Sequence, residues 1–426
     1  MNFVQGGNGD TIIFGYSPVN EIVFRDYLEW GLSFKIGANS LLNNNSTAGQ
    51  VKITNYIGNR DMAIITAPYT GLNSDSSGPA LSFENTNGTW PFPTTSTLTG
   101  VRLFTDNSNS ARYGWSVDAS ESGKYIIIGG PEGDGLTGAA LLYTRNGNSW
   151  NLVQKIKGVS NNTSGPPFQP SGPRYGYNTC INKSGDVTMI NGPYDEAGKG
   201  GAIIYTGTNW NTPAYKITGV DGNNMGVGAD MNADGSVIIL GGGNVPASYD
   251  GHTNIFTGNK NLGWKLAQTI TGENSERLGE TCSINDNGDV IALASDNGYV
   301  ALYTGNPTSK WSLAQKISGE FTWQPGNNYI SSRVHNLSLS QDASVIAFSE
   351  TESFEYNNTT KIFIYTGNAQ SQWSLDGVRV SDFGDSSNGE DVSVNVQGTT
   401  VAVYTRLETL LGYGAYVGAV NILKKI

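Results

Sequence analysis

One segment of the sequence has the residue types and the spacing of a calcium loop. Asp230-Met-Asn-Ala-Asp-Gly235 approaches the Asp-x-Asn-x-Asp-Gly pattern, in which one loop supplies several of the oxygen ligands that the ion needs. The candidate ligands are Asp230, Asn232 and Asp234. Asn, Asp and Gly are also the ordinary residues of a hairpin turn, as in the related segment Asn285-Asp-Asn-Gly288. We therefore expect a plain turn and no cofactor, with calcium as the weaker alternative.

Groups for catalysis are sparse. The two histidines, His252 and His335, lie far apart in the sequence, and no Gly-x-Ser-x-Gly segment supports a Ser-His-Asp triad. Neither a phosphate-binding Gly-x-x-x-x-Gly-Lys-Ser/Thr segment nor a zinc-binding His-Glu-x-x-His segment occurs. Paired acids such as Asp195 and Glu196 fall in predicted loops, where a carboxylate is usually solvated. The sequence therefore predicts a protein that is not an enzyme.

Four aromatic residues outside the regular pattern are the candidates for binding a partner: Trp323, Tyr329, Tyr69 and Tyr356. They lie in long polar segments, and Tyr and Trp combine a large apolar face with a polar atom. That combination suits both sugar rings and protein surfaces. Trp323 is also out of register with the repeated tryptophans described below. The alternative interpretation is that Trp323 packs against a neighbouring unit of the scaffold.

Composition argues against several classes of function. The chain has 426 residues, 14% of them charged, and a net charge of −11, whereas a nucleic-acid partner would require a basic face. The amino terminus lacks the features of a signal peptide, and no apolar run approaches the ~20 residues of a membrane helix. Cys180 and Cys282 have opposite parity relative to their turn glycines, so we expect two small buried side chains and no disulfide.

A phrase containing Tyr-Thr-Gly, Trp-Ser-Leu and Gln-Lys-Ile recurs at intervals of 47 to 62 residues, which indicates an array of similar units. Its tryptophans are Trp30, Trp90, Trp150, Trp210, Trp264, Trp311 and Trp373. In one unit, strands A to D are predicted near Trp115–Ala119, Tyr125–Gly129, Ala139–Thr144 and Trp150–Ile156. Four antiparallel strands repeated radially predict an all-β propeller, with the tryptophan of strand D packed into the neighbouring blade.

The repeat extends along the whole chain, so we expect a single domain over residues 1–426. Its units are approximately 1–40, 41–100, 101–158, 159–219, 220–272, 273–319, 320–381 and 382–426. This division favours eight blades on a four-stranded plan. The last blade lacks strand D, which leaves an edge that could pair with another chain. The alternative is seven blades plus a divergent terminal unit.

Two pairs of segments resemble the motif of FG-GAP repeats: Tyr113-Gly114 with Gly129-Gly-Pro131, and Tyr175-Gly176 with Asn191-Gly-Pro193. The rest of the unit is similar to FG-GAP-like repeats of phages, large DNA viruses and bacterial surface proteins. This resemblance covers essentially the whole chain and implies a propeller, usually of seven blades. The integrin α subunits, which are the best-known members, bind partners on one face and calcium in some blades.

These observations favour a structural or interaction protein, expected as a virion or tail-surface component of a phage or large DNA virus. Its partners would be other structural proteins of the assembly or a host surface receptor or glycan, without nucleic acid or membrane insertion, and a homo-oligomer is compatible. One alternative is a carbohydrate- or host-receptor-binding module, extracellular or on a cell surface. Another is a calcium-dependent, integrin-like adhesion protein. An enzyme with carboxylates around the axial cleft is the least favoured alternative.

Overall fold

The fold is known from a computed structural model of the chain. The structure describes residues 30–37, 46–47, 50–56, 60–66, 69–70, 80–85, 101–102, 111–147, 149–159, 172–207, 210, 213–219, 224–243, 250–273, 275–319, 330–354, 357–380, 391–409 and 416–425. These residues form seven four-stranded antiparallel sheets, which are the blades of a propeller ring. Within this part of the chain, no helix is long and apolar enough to cross a membrane.

The first strands in chain order are β1 (Trp30–Gly37), β2 (Ser46–Thr47), β3 (Val51–Tyr56), β4 (Arg60–Thr66), β5 (Tyr69–Thr70), β6 (Ala80–Glu84), β7 (Val101–Arg102), β8 (Ser116–Ala119), β9 (Tyr125–Gly130), β10 (Ala139–Asn146), β11 (Ser149–Lys157), β12 (Asn178–Ile181) and β13 (Val187–Asn191). A single helical turn, α1 (Asp195–Gly198), follows β13. Next come β14 (Gly201–Thr206), β15 (Pro213–Thr218), β16 (Gly228–Met231), β17 (Val237–Gly242), β18 (His252–Asn259) and β19 (Gly263–Thr271). The last are β20 (Cys282–Ile284), β21 (Val290–Ser295), β22 (Tyr299–Asn306), β23 (Lys310–Ser318), β24 (Ile330–Leu339), β25 (Val345–Phe354), β26 (Asn357–Asn368), β27 (Gln372–Val380), β28 (Asp391–Val394), β29 (Thr400–Thr409) and β30 (Tyr416–Lys425).

Each blade uses its strands in the order A to D, with A innermost. Blade 1 is β3, β4, β6 and β7, and blades 2 to 5 take β8–β11, β12–β15, β16–β19 and β20–β23. Blade 6 is β24–β27, and blade 7 combines β28, β29 and β30 with β1. The short strands β2 and β5 pair with each other outside the blades.

The favoured count of eight blades is wrong, and the alternative of seven is confirmed. Strand β1, taken from the sequence as the outer strand of a first unit, pairs antiparallel with β30 from Trp30 opposite Lys425 to Gly37 opposite Ala419. The first and the last predicted units therefore share one sheet. The edge predicted to be open on the last blade is occupied by the chain's own β1, so it does not supply a surface for another chain.

Apolar strand B residues fill the spaces between the blades. Ile126, Ile127 and Ile128 in β9 are fully buried, because both faces of the sheet are covered by neighbouring blades. The glycine that follows, Gly129, marks a close approach: a Cβ there would lie 2.2 Å from the carbonyl oxygen of Gly176 in the next blade. The Gly-Gly-Pro segment is thus required by blade packing.

The repeated tryptophan packs between its own blade and the preceding one, as predicted. Trp264 lies in a cluster with residues of blades 3 and 4, such as Met189 and Leu240. Its Nε1 donates a hydrogen bond to the carbonyl of Gly235, in the A–B turn of its own blade, at 2.8 Å. Trp311 and Trp373 make the same bond, to Gly288 at 3.0 Å and to Ala343 at 2.7 Å.

The glutamine of the repeated phrase joins the outer strands of successive blades. Nε2 of Gln268 in blade 4 donates to the carbonyl of Trp311 in blade 5, and its Oε1 accepts the N–H of Trp311, both at 2.8 Å. Gln315 makes the same pair of bonds with Trp373, at 2.8 and 2.9 Å. Because each bond satisfies a main-chain group of an outer strand, the glutamine fixes the spacing of neighbouring blades.

Side chains from one blade also satisfy the free inner edge of the next. Asp118 accepts the N–H of Ile181 at 2.8 Å, and Asp230 accepts the N–H of Ile284 at 2.9 Å. Two serines do the same at other junctions, Ser338 for Val394 and Ser393 for Ile53, each at 3.1 Å. The inner strand has no further strand to pair with, so these bonds replace those that a sheet neighbour would supply.

The junction between blades 7 and 1 closes the ring. The carboxylate of Asp391 accepts the N–H of Val51 at 2.6 Å. Asp61 in blade 1 accepts from the Asn395 amide at 2.9 Å and from the Thr400 hydroxyl at 3.0 Å. Burial raises the pKa of Asp391 to about 7, although bonds from the Val51 and Val392 N–H groups and the charge of Lys52 lower it.

Trp264→Ala should reduce the free energy of unfolding by roughly 3–5 kcal/mol, because it leaves a cavity between blades 3 and 4. Urea denaturation followed by circular dichroism measures the loss. The control is Leu262→Ala in the same hairpin, where the side chain is 78% exposed and a change within about 0.5 kcal/mol is expected. Equal effects of the two substitutions would contradict the packing described here.

Asp391→Asn should make the protein more stable than the wild type at pH 8, with the difference vanishing near pH 4. The folded state holds the Asp391 proton more tightly than the unfolded chain does. The wild type therefore loses the corresponding stability as pH rises from the ordinary aspartate pKa of 3.8 through about 7. Thermal melts at several pH values measure the difference between the two proteins.

Asp186→Asn provides the control of opposite sign. A hydrogen bond from Ser184 is the main cause that holds the pKa of Asp186 below its usual value. Its contribution to stability is therefore present above the unfolded pKa and is lost as pH falls. If Asp391→Asn followed the Asp186→Asn pattern, the account of the ring junction would be wrong.

Candidate functional site

The ring encloses an axial channel with a polar lining. The register of the inner strands brings one residue from each blade to the same level: Lys52, Asp118, Cys180, Asp230, Ser283, Ser338 and Ser393. The cavity at the end of the channel that the A–B turns surround measures about 120 Å³. Nζ of Lys52 lies 2.7 Å from Oδ1 of Asp118. Burial opposes the charge of Lys52, but Asp118 and Asp230 outweigh it and raise the pKa of its ammonium group.

The three residues predicted as possible calcium ligands make hydrogen bonds to different groups in this region. The carboxylate of Asp230 accepts from Ile284 and Ser283, and burial raises its pKa to about 6. The side-chain oxygen of Asn232 accepts the N–H of Val237 at 2.8 Å, closing the A–B turn. Oδ1 of Asp234 accepts the N–H of Ser236 at 2.8 Å. Among the described residues, no group of three or more His, Cys, Asp or Glu side chains is arranged to hold a metal ion.

The A–B turns join into a continuous rim at this end of the channel. The N–H of Lys183 donates to Ala233, the N–H of Ala233 to Asp286, and the N–H of Asp286 to Gln341, at 3.0 to 3.2 Å. Gln341 continues the series to Val396 at 3.4 Å. These main-chain hydrogen bonds link the A–B turns of blades 3 to 7.

The opposite mouth carries a repeated turn just before strand A. The turns are Arg112–Trp115, Arg174–Tyr177, Asn224–Val227 and Arg277–Glu280, and in each the last N–H donates to the first carbonyl at 3.1 to 3.4 Å. The first residue of each turn has a left-handed φ, between 44° and 57°. A non-glycine residue rarely adopts this conformation, and strained backbone is concentrated at functional sites.

The last residue of each turn faces the mouth, together with the equivalent His335 of blade 6. These five residues are Trp115, Tyr177, Val227, Glu280 and His335. The Trp115 and Tyr177 rings lie 5.5 Å apart between centroids, and Tyr194 meets Tyr177 edge-on at 6.2 Å. All three rings are partly exposed. They form a continuous aromatic surface, which we name the aromatic patch (Trp115, Tyr177 and Tyr194).

Arginine–carboxylate pairs flank the aromatic patch on two sides. Glu132 accepts from Nε of Arg112 at 2.8 Å and lies 3.4 Å from Arg174, whose guanidinium stands 5.8 Å from the Tyr194 ring centroid. On the far side, Arg333 pairs with Glu280 and, at 2.7 Å, with Asp296. Arg277 lies within 3.8 Å of both Glu280 and Asp296. We name these seven charged residues the charged rim.

Ionisable groups near the mouth respond to both burial and the arginines. Burial raises the pKa of Tyr177, Glu280 also raises it, and both Arg174 and Arg333 lower it. Burial raises the pKa of Glu280 against the opposing charge of Arg333. Burial and the charge of Arg333 lower the pKa of His335 to about 4, so its imidazole is neutral at pH 7.

The sequence-based binding candidates remain predictions. Trp323, Tyr329 and Tyr356 lie outside the described residues. Tyr69 belongs to β5, paired with Ser46–Thr47, and its side chain is outside the described part. The aromatic patch was missed because Trp115 was assigned to strand A, which begins at Ser116. The signal that could have revealed it is the repeated Arg-Tyr-Gly-aromatic segment.

Comparison with known proteins gives a fold and no family. No family model matches the chain, and no curated protein matches it. A protein from Lactobacillus plantarum is similar in structure, with a TM-score of 0.51 and 14% identity over 85% of this chain and 98% of that one. A "putative 6-phosphogluconolactonase" from Bacteroides fragilis NCTC 9343 is similar too, with a TM-score of 0.51 and 12% identity over 85% and 88% of the two chains.

The prediction that the protein is not an enzyme is contradicted. The Bacteroides fragilis protein has the same fold and bears the name of an enzyme, so a whole-chain propeller without familiar catalytic motifs does not exclude catalysis. At 12% identity the likeness shows the fold alone and assigns no reaction to this chain.

The imidazole of His335 should titrate with a midpoint near pH 4 and remain neutral at pH 6. Two-dimensional NMR of the ring nitrogens measures this, and His252→Asn identifies which of the two histidines gives each signal. Arg333→Met should move the midpoint upward, because it removes a positive charge next to the ring. A midpoint near 6.5 in the wild type would place His335 in solvent and contradict this geometry.

Proposed function

We propose that the protein is a binding module and that the aromatic patch takes a hydroxyl-rich ligand, as expected of a saccharide. The observation that carries this proposal is the contact of three partly exposed aromatic rings at the mouth of the ring. Such rings can cover the apolar face of a sugar. The adjoining guanidinium and carboxylate groups can donate to and accept from its hydroxyls. Ligand sites are typically a mostly apolar concave surface with a few such polar groups.

We also propose a repeat type and a biological role for the protein. The buried Tyr113 and Tyr175, and the close approach at Gly129, support an FG-GAP-like repeat. In this proposal the module is a virion or tail-surface component that contacts a host glycan or receptor, or other proteins of the assembly. An extracellular or cell-surface location is the alternative. Calcium-dependent adhesion gains no support from the side chains of Asp230, Asn232 and Asp234, which serve the turn and its neighbours.

A second observation favours a sugar-derived ligand. The name of the Bacteroides fragilis protein refers to a phosphorylated sugar lactone, and that protein shares the fold over 85% of this chain. At 12% identity this likeness shows the fold alone, so the name is only compatible with a sugar-derived ligand. The geometry of the mouth remains the principal argument.

Trp115→Ala and Tyr177→Ala should each weaken saccharide binding by about tenfold, because each removes one face of the aromatic patch. A glycan array identifies ligands of the wild type, and isothermal titration calorimetry with the best of them measures the affinity. Trp323→Ala tests the sequence-based candidate in the same assay.

The control is Leu152→Ala, an exposed position on the outer strand of blade 2, which should bind as the wild type does. Thermal melts of every variant verify the fold. Absence of wild-type binding to any saccharide on the array, or undiminished binding by both mouth variants, would refute the proposed site.

A further inference from the structure

The charged rim has a feature that a site for neutral sugars does not require. It brings four guanidinium groups and three carboxylates to one mouth of a chain whose net charge is −11. The charged rim therefore carries one net positive charge in a chain that is otherwise acidic. A local excess of positive charge attracts ligands of the opposite sign.

Two of these arginines come from distant blades: Arg174 precedes β12 of blade 3, and Arg333 lies in β24 of blade 6. The Arg174 guanidinium stands 5.8 Å from the Tyr194 ring centroid, and Arg333 pairs with Glu280 at the same mouth. Both guanidinium groups also lower the pKa of the Tyr177 hydroxyl. A ligand stacked on the aromatic patch would therefore place a substituent beside Arg174, with Arg333 across the mouth.

Arg174 also has hydrogen-bonding capacity that the protein does not use. Its side chain is 19% exposed, its contact with Glu132 is a loose 3.4 Å, and its buried Nε has no hydrogen-bond partner. A buried donor without a partner is costly and calls for an explanation, and a ligand that completes the bonding would provide one. Arg174 also has a left-handed φ of 57°, a conformation that the first residues of the equivalent turns share.

From these observations we infer that the ligand is an acidic saccharide, whose oxyanion is received by Arg174 and Arg333 while its ring lies on the aromatic patch. This inference rests on the proposed function and names the class of its ligand. Guanidinium groups bind carboxylate, sulfate and phosphate by the same paired hydrogen bonds, so the shared chemistry is an oxyanion on a sugar. Glu132 and Glu280 hold the two arginines in place when the site is empty.

The test compares matched saccharides. Calorimetry is run with one neutral oligosaccharide that binds on the array and with its uronate, sulfated and phosphorylated forms. At least one acidic form should bind tighter than the neutral form by about tenfold or more, the effect of one or two hydrogen bonds to a charged group. The acidic form that binds tightest identifies the source of the oxyanion. The preference should shrink in 0.5 M NaCl, because salt screens an exposed site.

Variants then separate the contribution of the arginines to binding from that of the aromatic patch. Arg174→Met and Arg333→Met should each lower the affinity for the acidic form more than the affinity for the neutral form, so that the preference shrinks. Arg174→Lys should recover part of the preference, since it restores the charge without the planar fork. Thermal melts show that each variant is folded. The charge-matched control is Lys260→Met, in the C–D turn of blade 4, which should keep the preference.

The outcomes distinguish this inference from the proposed function. Equal affinity for neutral and acidic forms would overturn the inference and leave saccharide binding in place. An Arg174→Met variant that lost both forms equally would show a structural role for the arginine and would also overturn it. If the wild type bound no saccharide of any kind, both the proposed function and this inference would fall.

Discussion

The ring depends on how the inner strands satisfy their free main-chain groups. A strand at the edge of a sheet exposes N–H groups that must find a partner, and near the axis no further strand is available. The chain solves this with short polar side chains of the preceding blade, such as Asp118 for Ile181 and Ser338 for Val394. At these junctions one blade completes the hydrogen bonding of the next, and removal of that blade would leave its neighbour with unpaired N–H groups. Polar residues consequently persist inside an otherwise apolar repeat.

The need to pair main-chain groups is met differently at the two ends of the channel. At the A–B end, the turns bond to one another through the main chain from Lys183 to Val396, so their side chains are constrained by the scaffold. At the opposite mouth, each turn closes on itself, from Arg174 to Tyr177 for example, and its last side chain is free to vary. The equivalent residues are accordingly Trp115, Tyr177, Val227, Glu280 and His335, which range from aromatic and aliphatic to acidic and imidazole side chains. A position that varies from blade to blade while its backbone is conserved among them is where a propeller can acquire a specific ligand.

The sequence predicted single blades well and the ring closure poorly. The sequence predicted strand β9 over Tyr125–Gly129, because a run of isoleucines between turn residues is typical of a buried strand. In the structure this strand extends to Gly130. The opposite parity of Cys180 and Cys282 is confirmed, since they pack in different inter-blade clusters and both are free. The blade count failed because a strand's sequence does not reveal its partner, and Trp30 looks like any other outer-strand tryptophan. The site was missed for a similar reason: Arg174 and Arg333 are 159 residues apart in sequence, and only closure of the ring places both at the same mouth.

The pairing of β1 with β30 has a consequence for how the protein is made. Strand β1 is the first of the described strands to be synthesised and its partner β30 is the last, so β1 must wait while the strands of six blades are made. During that interval, Trp30 and its neighbours have no sheet to join, and the nascent protein is an open arc with two unsatisfied ends. Completion of the last strand then converts the arc into a ring in one step. Removal of β30 would thus leave β1 without its sheet partner, so the first and the last described strands form a single unit in folding.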